Sequence, residues 1–196
     1  MSANLNKLLK RARLSKEDCL FNIGPILPKI MRAYKECINL YNEEIQKFIP
    51  EVRTRFDAVL FNTLLAQMFI NQFPDKYRKG KYGRLIFRWD GFQMILKKLN
   101  SQNKPSYVPT ILSDSIMNQL SLPLFEDDNA LEPILIFGYS KDKYGTISNP
   151  RIVYYDGSPQ WEINESDTTF FNTADKVAKY EVTIRLKNER NIKQVK

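Results

Sequence analysis

The side chains that could do chemistry in this chain are carboxylates and amines, because its 196 residues include no histidine. That absence excludes Ser/His and Cys/His nucleophile pairs and every metal site that needs imidazole. Carboxylates alone can hold Mg²⁺, and the best-placed set is Asp156 with Glu162 and Glu165, at a turn and in the segment after it. These three residues define a nuclease hypothesis.

The nuclease hypothesis has an incomplete motif. A restriction-type nuclease core resembles Asp on one strand followed by Glu, a spacer and Lys on the next, whereas Asn164 stands here where that lysine belongs. The seven glycines match neither GxxxxGK[ST] nor GxGxxG, so no nucleotide-binding loop is expected. We therefore predict no catalytic residue, no metal site and no cofactor, and we favour a binding protein over an enzyme.

Positive charge is concentrated in one short segment. Residues 76–104 carry nine Lys or Arg against the single acid Asp90, a net charge equal to the +8 of the whole chain. Such density is typical of phosphate binding, and interleaved tyrosines can stack on bases. The alternatives are a solvated basic loop or a patch that meets an acidic protein. The predicted nucleic-acid contacts are Lys76, Arg78, Lys79, Lys81, Tyr82, Arg84, Arg88, Lys97 and Lys98.

The next segment, 105–132, has no Lys or Arg and five acids, and it contains QLSLPL at 119–124. This hexapeptide resembles the docking peptide by which bacterial polymerases and repair enzymes bind the replication sliding clamp: Gln, Leu, a small or acidic residue, Leu, any residue, Leu. The resemblance covers six or seven residues and implies a docking contact only. The partner-binding residues that it implies are Gln119, Leu120, Leu122, Leu124 and Phe125.

A structural interpretation of the same peptide remains open. Leu120, Leu122 and Leu124 alternate, as they would in an edge strand or a buried loop whose leucines face the core. Pro123 argues against a central strand but allows an edge. The docking hypothesis requires the peptide to stand clear of the fold, so its exposure distinguishes the two interpretations.

The pattern of elements predicts an α+β fold, in which an N-terminal helical hairpin precedes a mostly antiparallel sheet. Apolar residues recur every three or four positions over 28–49 and again from Glu51 until Phe73-Pro74, which indicates two packed helices. Two β-rich runs around Asp90-Gly91 predict a hairpin, and 133–163 predicts a meander turning at Asp156-Gly157. We divide the chain into a helical part, 1–75, and a β-rich part, 76–196, with an extended acidic loop at 105–132, both within one compact unit. A short helix and a last strand are expected over 174–187.

Cysteine usage and hydropathy predict the compartment. Cys19 and Cys37 form no CxxC pair, and we interpret both as free, partly buried thiols in a reducing environment. No apolar run reaches the ~18 residues of a membrane span, and the basic amino terminus lacks the apolar stretch of a signal peptide. A cytoplasmic protein without membrane contact is expected.

Together these features predict a non-enzymatic accessory protein of bacterial or phage origin that docks on the sliding clamp and contacts nucleic acid through its basic segment. A weak compositional similarity to phage and mobile-element proteins supports an alternative, an inhibitor of a host nucleic-acid-processing or defence enzyme, similar to anti-CRISPR proteins. The Mg-dependent nuclease is the other alternative. The oligomeric state is left open by the sequence.

Overall fold

The computed structural model describes residues 9–80, 83–121, 131–143 and 145–170. In chain order the elements are α1 (Lys16–Ile23), α2 (Leu27–Gln46), α3 (Pro50–Gln72), β1 (Tyr77–Lys79), β2 (Leu85–Trp89), β3 (Phe92–Leu99), α4 (Ile111–Met117), β4 (Ile134–Lys141), β5 (Ile147–Asp156), β6 (Ser158–Asn164) and a closing 3-10 helix (Glu165–Phe170). Within these residues, helices α1 to α3 precede every strand of a mostly antiparallel sheet, which confirms the α+β prediction.

The two long helices begin where proline permits. Pro28 and Pro50 occupy the first turns of α2 and α3, where the missing N–H has no helical partner. One face of α2 is buried, including Ile30, Tyr34, Cys37 and Tyr41 at the predicted spacing. The helix ends at Gln46, before the predicted end, because Lys47–Ile49 turn toward α3.

The described part of the chain forms a sheet of six strands in the order of the sequence, β1-β2-β3-β4-β5-β6. All neighbours are antiparallel except β3 and β4, which run parallel with Gln93 opposite Ile134 and Leu99 opposite Ser140. Gly91 and Gly157 take φ values of +86° and +72° in the Asp-Gly turns, which confirms both predicted hairpins. The parallel pair requires a crossover, and α4 lies within it.

Both faces of the sheet are covered. On the helix side, the Phe69 ring of α3 lies 5.4 Å from the Phe87 ring of β2 and 5.0 Å from the Phe137 ring of β4. These rings belong to one apolar cluster that also includes residues of α2. On the other side, α4 buries a second cluster. Its sheet residues include Ile86, Ile95, Ile136 and Val153. Strand residues on the two faces therefore alternate between two cores, which is why β4 is almost continuously apolar.

The prediction of an extended loop over 105–132 is wrong for residues 111–117, and residues 122–130 of that segment lie outside the described residues. Residues 111–117 form α4, which begins at a capping box: the Thr110 side chain accepts from Ser113 N at 3.1 Å, and Ser113 Oγ accepts from Thr110 N at 2.8 Å. The helix is too short to give an apolar repeat, so the caps are its main sequence signal. The helix and strand predicted over 174–187 lie outside the described residues.

The cysteines are free, as predicted, but both are fully buried rather than partly buried. Burial raises the pKa of Cys19 and of Cys37 to about 12. The thiols therefore stay protonated and unreactive at neutral pH. None of the helices in the described ranges combines the length and the hydropathy that a membrane crossing requires.

Candidate nucleic-acid interface

Strands β1 to β3 bring five of the predicted cations to one face of the sheet. Helix α4 packs on another part of the same face. Arg78 pairs with Ile86, and Ile86 belongs to the α4-side cluster. Because side chains alternate along a strand, Arg84 and Arg88 share that face with Ile86, and Lys97 shares it with Ile95. Lys76, whose carbonyl accepts from Arg88 N, completes the set. We call Lys76, Arg78, Arg84, Arg88 and Lys97 the basic face.

Arg84 and Lys97 are half-buried cations that lie close together. Burial lowers the pKa of Arg84. Burial also lowers the pKa of Lys97, and the neighbouring charge of Arg84 lowers it further. Within the described ranges, neither side chain has a hydrogen bond or an ion pair with a carboxylate. Two like charges on adjacent strands destabilise the sheet unless an anion compensates them.

Among the residues that the structure describes, Arg88 is the member of the basic face that has a carboxylate partner. Its Nε lies 2.9 Å from Glu132 Oε2, its Nη2 donates to Oε1 at 3.2 Å, and Gln93 Nε2 donates to the same carboxylate at 3.4 Å. The prediction that Arg88 contacts phosphate therefore competes with a two-point ion pair. A cleft of about 320 Å³ at this end of the sheet is lined by Asp75, Lys76, Arg78, Arg88, Trp89, Asp90 and Glu132.

The remaining predicted contacts are not gathered on this face. Lys79 pairs with Leu85, and Lys98 alternates with Lys97, so both belong to the opposite face of the sheet. Lys81 and Tyr82 lie outside the described residues. Tyr77 is half-buried and packs toward Phe87 on the helix side, so it is not placed to stack on a base from the basic face.

Gln119, the first residue of the predicted docking peptide, is part of the protein interior. It is 1% exposed; its Nε2 donates to the carbonyls of Ile134 and Tyr155 at 2.8 and 2.9 Å, and its Oε1 accepts from Ile134 N at 2.9 Å. The prediction that Gln119 is available to a clamp is therefore corrected: its carboxamide is fully used within the fold. Leu122, Leu124 and Phe125 lie outside the described residues, so their docking role stays a prediction.

The start of the same peptide is also held by the N-terminal segment. Arg11 N donates to Gln119 O, and Ser121 N donates to Leu9 O, at 2.7 and 2.8 Å. The buried Arg11 side chain adds a bond from Nε to the carbonyl of the half-buried Leu120 at 3.0 Å. Residues 119–121 thus form a structural junction, in line with the structural interpretation of this part of the motif.

The carboxylates of the nuclease hypothesis each have a separate partner. Asp156 pairs with Lys10 at 2.5 Å, Glu162 pairs with Arg151 at 3.0 Å, and Glu165 pairs with Lys35. The ranges that the structure describes contain no group of three or more Cys, Asp or Glu that could hold a metal ion. The geometry offers no support for metal-dependent cleavage at these residues.

Sequence reasoning missed a charged cluster on the helix side. Asp57 in α3 accepts from the Tyr41 hydroxyl of α2 and pairs with Lys141 at the end of β4. No local motif joins these residues, because Asp57 and Lys141 are 84 positions apart. Only the sheet topology, which returns the end of β4 to the helices, brings them together.

Comparisons with known proteins give no relatives. No family model matches the chain, and neither the curated proteins nor the solved structures yield a match.

Proposed function

We propose that this protein is a non-enzymatic accessory protein that binds nucleic acid through the phosphate backbone, using the basic face. The main support for this proposal is the proximity of two cations, Arg84 and Lys97, on the basic face. Both cations are half-buried, they repel each other, and no carboxylate in the described ranges neutralises either one. Phosphates would supply the missing negative charge and would release their own counterions on binding.

The chemistry of the face favours backbone contact over base reading. Its polar groups are amines and guanidinium groups, which suit phosphate oxygens. The aromatic side chains of the same strands, Tyr77, Phe87, Trp89 and Phe92, pack on the helix side instead. Binding through this face is therefore expected to be steeply salt-dependent and largely independent of sequence.

The clamp-docking peptide is not part of this proposal, because Gln119 supports the fold. Inhibition of a host enzyme is the competing function, because the basic face would meet an acidic protein surface through the same charges. Polyglutamate, a synthetic polyanion without phosphates, distinguishes a nucleic-acid partner from an acidic protein partner.

The test uses a fluorescein-labelled 20-base-pair DNA duplex and fluorescence anisotropy across a range of salt concentrations. The double variant Arg84→Gln/Lys97→Gln should bind about ten- to a hundredfold more weakly near 100 mM salt. Its slope of log K against log salt should fall by roughly two, since each lost phosphate contact on a duplex removes about 0.9.

The matched control is Lys29→Gln/Arg32→Gln, which removes the same charge from two exposed residues of α2. If both double variants lose affinity equally, the effect reflects net charge alone and the proposal fails. Binding to polyglutamate as tight as binding to DNA would likewise oppose it and favour an acidic protein partner.

A further inference from the structure

A second cleft, of about 700 Å³, lies on the helix side between α2, the start of α3 and the turn that joins β4 to β5. Its volume falls in the range of small-molecule sites in proteins. The residues that define its character are Ile38, Tyr41, Ile45, Arg53, Asp57 and Ile147.

One wall of this cleft is apolar. Ile38 and Ile45 of α2 and Ile147 of β5 are half-buried and pack at the margin of the helix-side core. Their remaining exposed surface faces a concave space rather than a flat exterior. Such a wall favours a ligand with an aromatic or aliphatic body.

The polar end of the cleft carries excess positive charge. Arg53, Lys141 and Lys143 line it, against the two carboxylates of Asp57 and Asp142. The Asp57 carboxylate is already occupied, since the Tyr41 hydroxyl and the Lys141 ammonium both bind it. Because Asp57 and Lys141 neutralise each other, Arg53 and Lys143 remain against Asp142, and this excess of one positive charge favours an anion over a cation.

Arg53 is fixed in place with part of its guanidinium unused. Its Nε donates to the Phe48 carbonyl, in the turn after α2, at 2.7 Å, and its Nη2 makes a longer contact of 3.5 Å with the carbonyl of Gln46, the last residue of α2. The third nitrogen, Nη1, makes no hydrogen bond to any residue that the structure describes. Its charge also acts on the cleft wall: burial and Tyr139 raise the pKa of Tyr41, and Arg53 opposes them.

We propose that this cleft binds a small organic anion, with its apolar body on the isoleucine wall and its acidic group on Arg53. The guanidinium would supply orientation at little entropic cost, because its side chain is already held by the carbonyls of Phe48 and Gln46. This inference is independent of nucleic-acid binding, since the basic face lies on the other side of the sheet.

The test uses 8-anilinonaphthalene-1-sulfonate, an aromatic anion whose fluorescence rises in apolar sites. The folded wild-type protein should bind it saturably at one site. Arg53→Gln should weaken that binding about tenfold, and Ile147→Gln should weaken it through the apolar wall. Lys29→Gln, which makes the same charge change at an exposed position of α2, should leave the affinity unchanged.

Arg53→Gln also removes the hydrogen bonds to Phe48 and Gln46, so it changes the fold locally as well as the site. Mapping where the probe binds on the wild-type protein provides an independent check. Amide NMR signals of Gly145, Thr146 and Ile147 should shift as the probe is added. If the signals that shift lie elsewhere, or if Arg53→Gln and Lys29→Gln bind the probe alike, the proposed site is refuted. Failure of DNA binding to the basic face would leave this result unaffected.

Discussion

The carboxamide of Gln119 joins three parts of the chain that are distant in sequence. It follows α4, and it bonds both the N–H and the carbonyl of Ile134 in β4 and the carbonyl of Tyr155 in β5. Its backbone adopts φ +48°, in the left-handed region that few side-chain-bearing residues occupy. These bonds satisfy backbone groups in a place that water does not reach.

Replacing Gln119 by leucine of similar volume should therefore destabilise the protein by about 2–4 kcal/mol, because buried backbone groups would lose their partners. Urea unfolding followed by circular dichroism measures the change. Gln102→Leu, at an exposed position in the loop after β3, is the matched control and should shift stability by about 0.5 kcal/mol or less. If the two variants were equally stable, the structural role of Gln119 would be refuted.

At the scale of elements, the packing of β3 against β4 depends on a missing side chain. Leu99 at the end of β3 lies over Gly138 of β4, and a Cβ built on Gly138 would stand 2.4 Å from Leu99 Cγ. No ordinary carbon contact is that short. Glycine is thus required by the neighbouring leucine and not by its own backbone conformation.

Gly138→Ala should cost about 1–3 kcal/mol of stability through this overlap. Leu99→Ala alone should cost about 2–5 kcal/mol by leaving a cavity. In the double variant the new methyl group fills part of that cavity, so the loss should be smaller than the sum of the two single losses. Strict additivity in thermal or urea unfolding would contradict the close contact.

The elements also show which features the sequence could predict. The α2 and α3 helices and the two Asp-Gly hairpins follow local rules, apolar spacing and turn chemistry, and were predicted close to their observed bounds. The parallel β3–β4 pair has no local signature, since it depends on which strands meet after a long connection. β1 is three residues long and mostly exposed, so it carries no apolar pattern.

The candidate sites were also predictable only as far as they depend on local sequence. A run of basic residues is visible in the sequence, but its division between two faces depends on strand register. Gln119 matched a short docking pattern, yet its burial arises from contacts with Leu9–Arg11, Ile134 and Tyr155. The Arg53 cleft needed three distant segments to be positioned together, so no motif could have shown it.

At the scale of the whole molecule, an aromatic cluster connects the helices to the sheet. The Phe69 ring of α3 lies 5.4 Å from Phe87 and 5.0 Å from Phe137, and Phe69 itself is fully buried. Helices and sheet thus share one core, and we expect them to unfold together.

Phe69→Ala should cost about 3–5 kcal/mol, because it removes a large ring from a site that cannot collapse. Circular dichroism, which measures helix loss, and fluorescence, which reports changes around Trp89 and Trp161, should give the same unfolding midpoint for this variant. Val59→Ala, at a position on α3 that is 66% exposed, serves as the control and should change stability little. Separate midpoints would show that helices and sheet are independent units.

The parallel pairing of β3 with β4 has a kinetic consequence. The hairpins β2–β3 and β5–β6 close short loops between neighbours in sequence, and such hairpins form within microseconds. The β3–β4 pair instead aligns Gln93 with Ile134 across the α4 connection, which costs more chain entropy. Folding is therefore expected to build two three-stranded halves early, and the rate-limiting step is their docking along this seam.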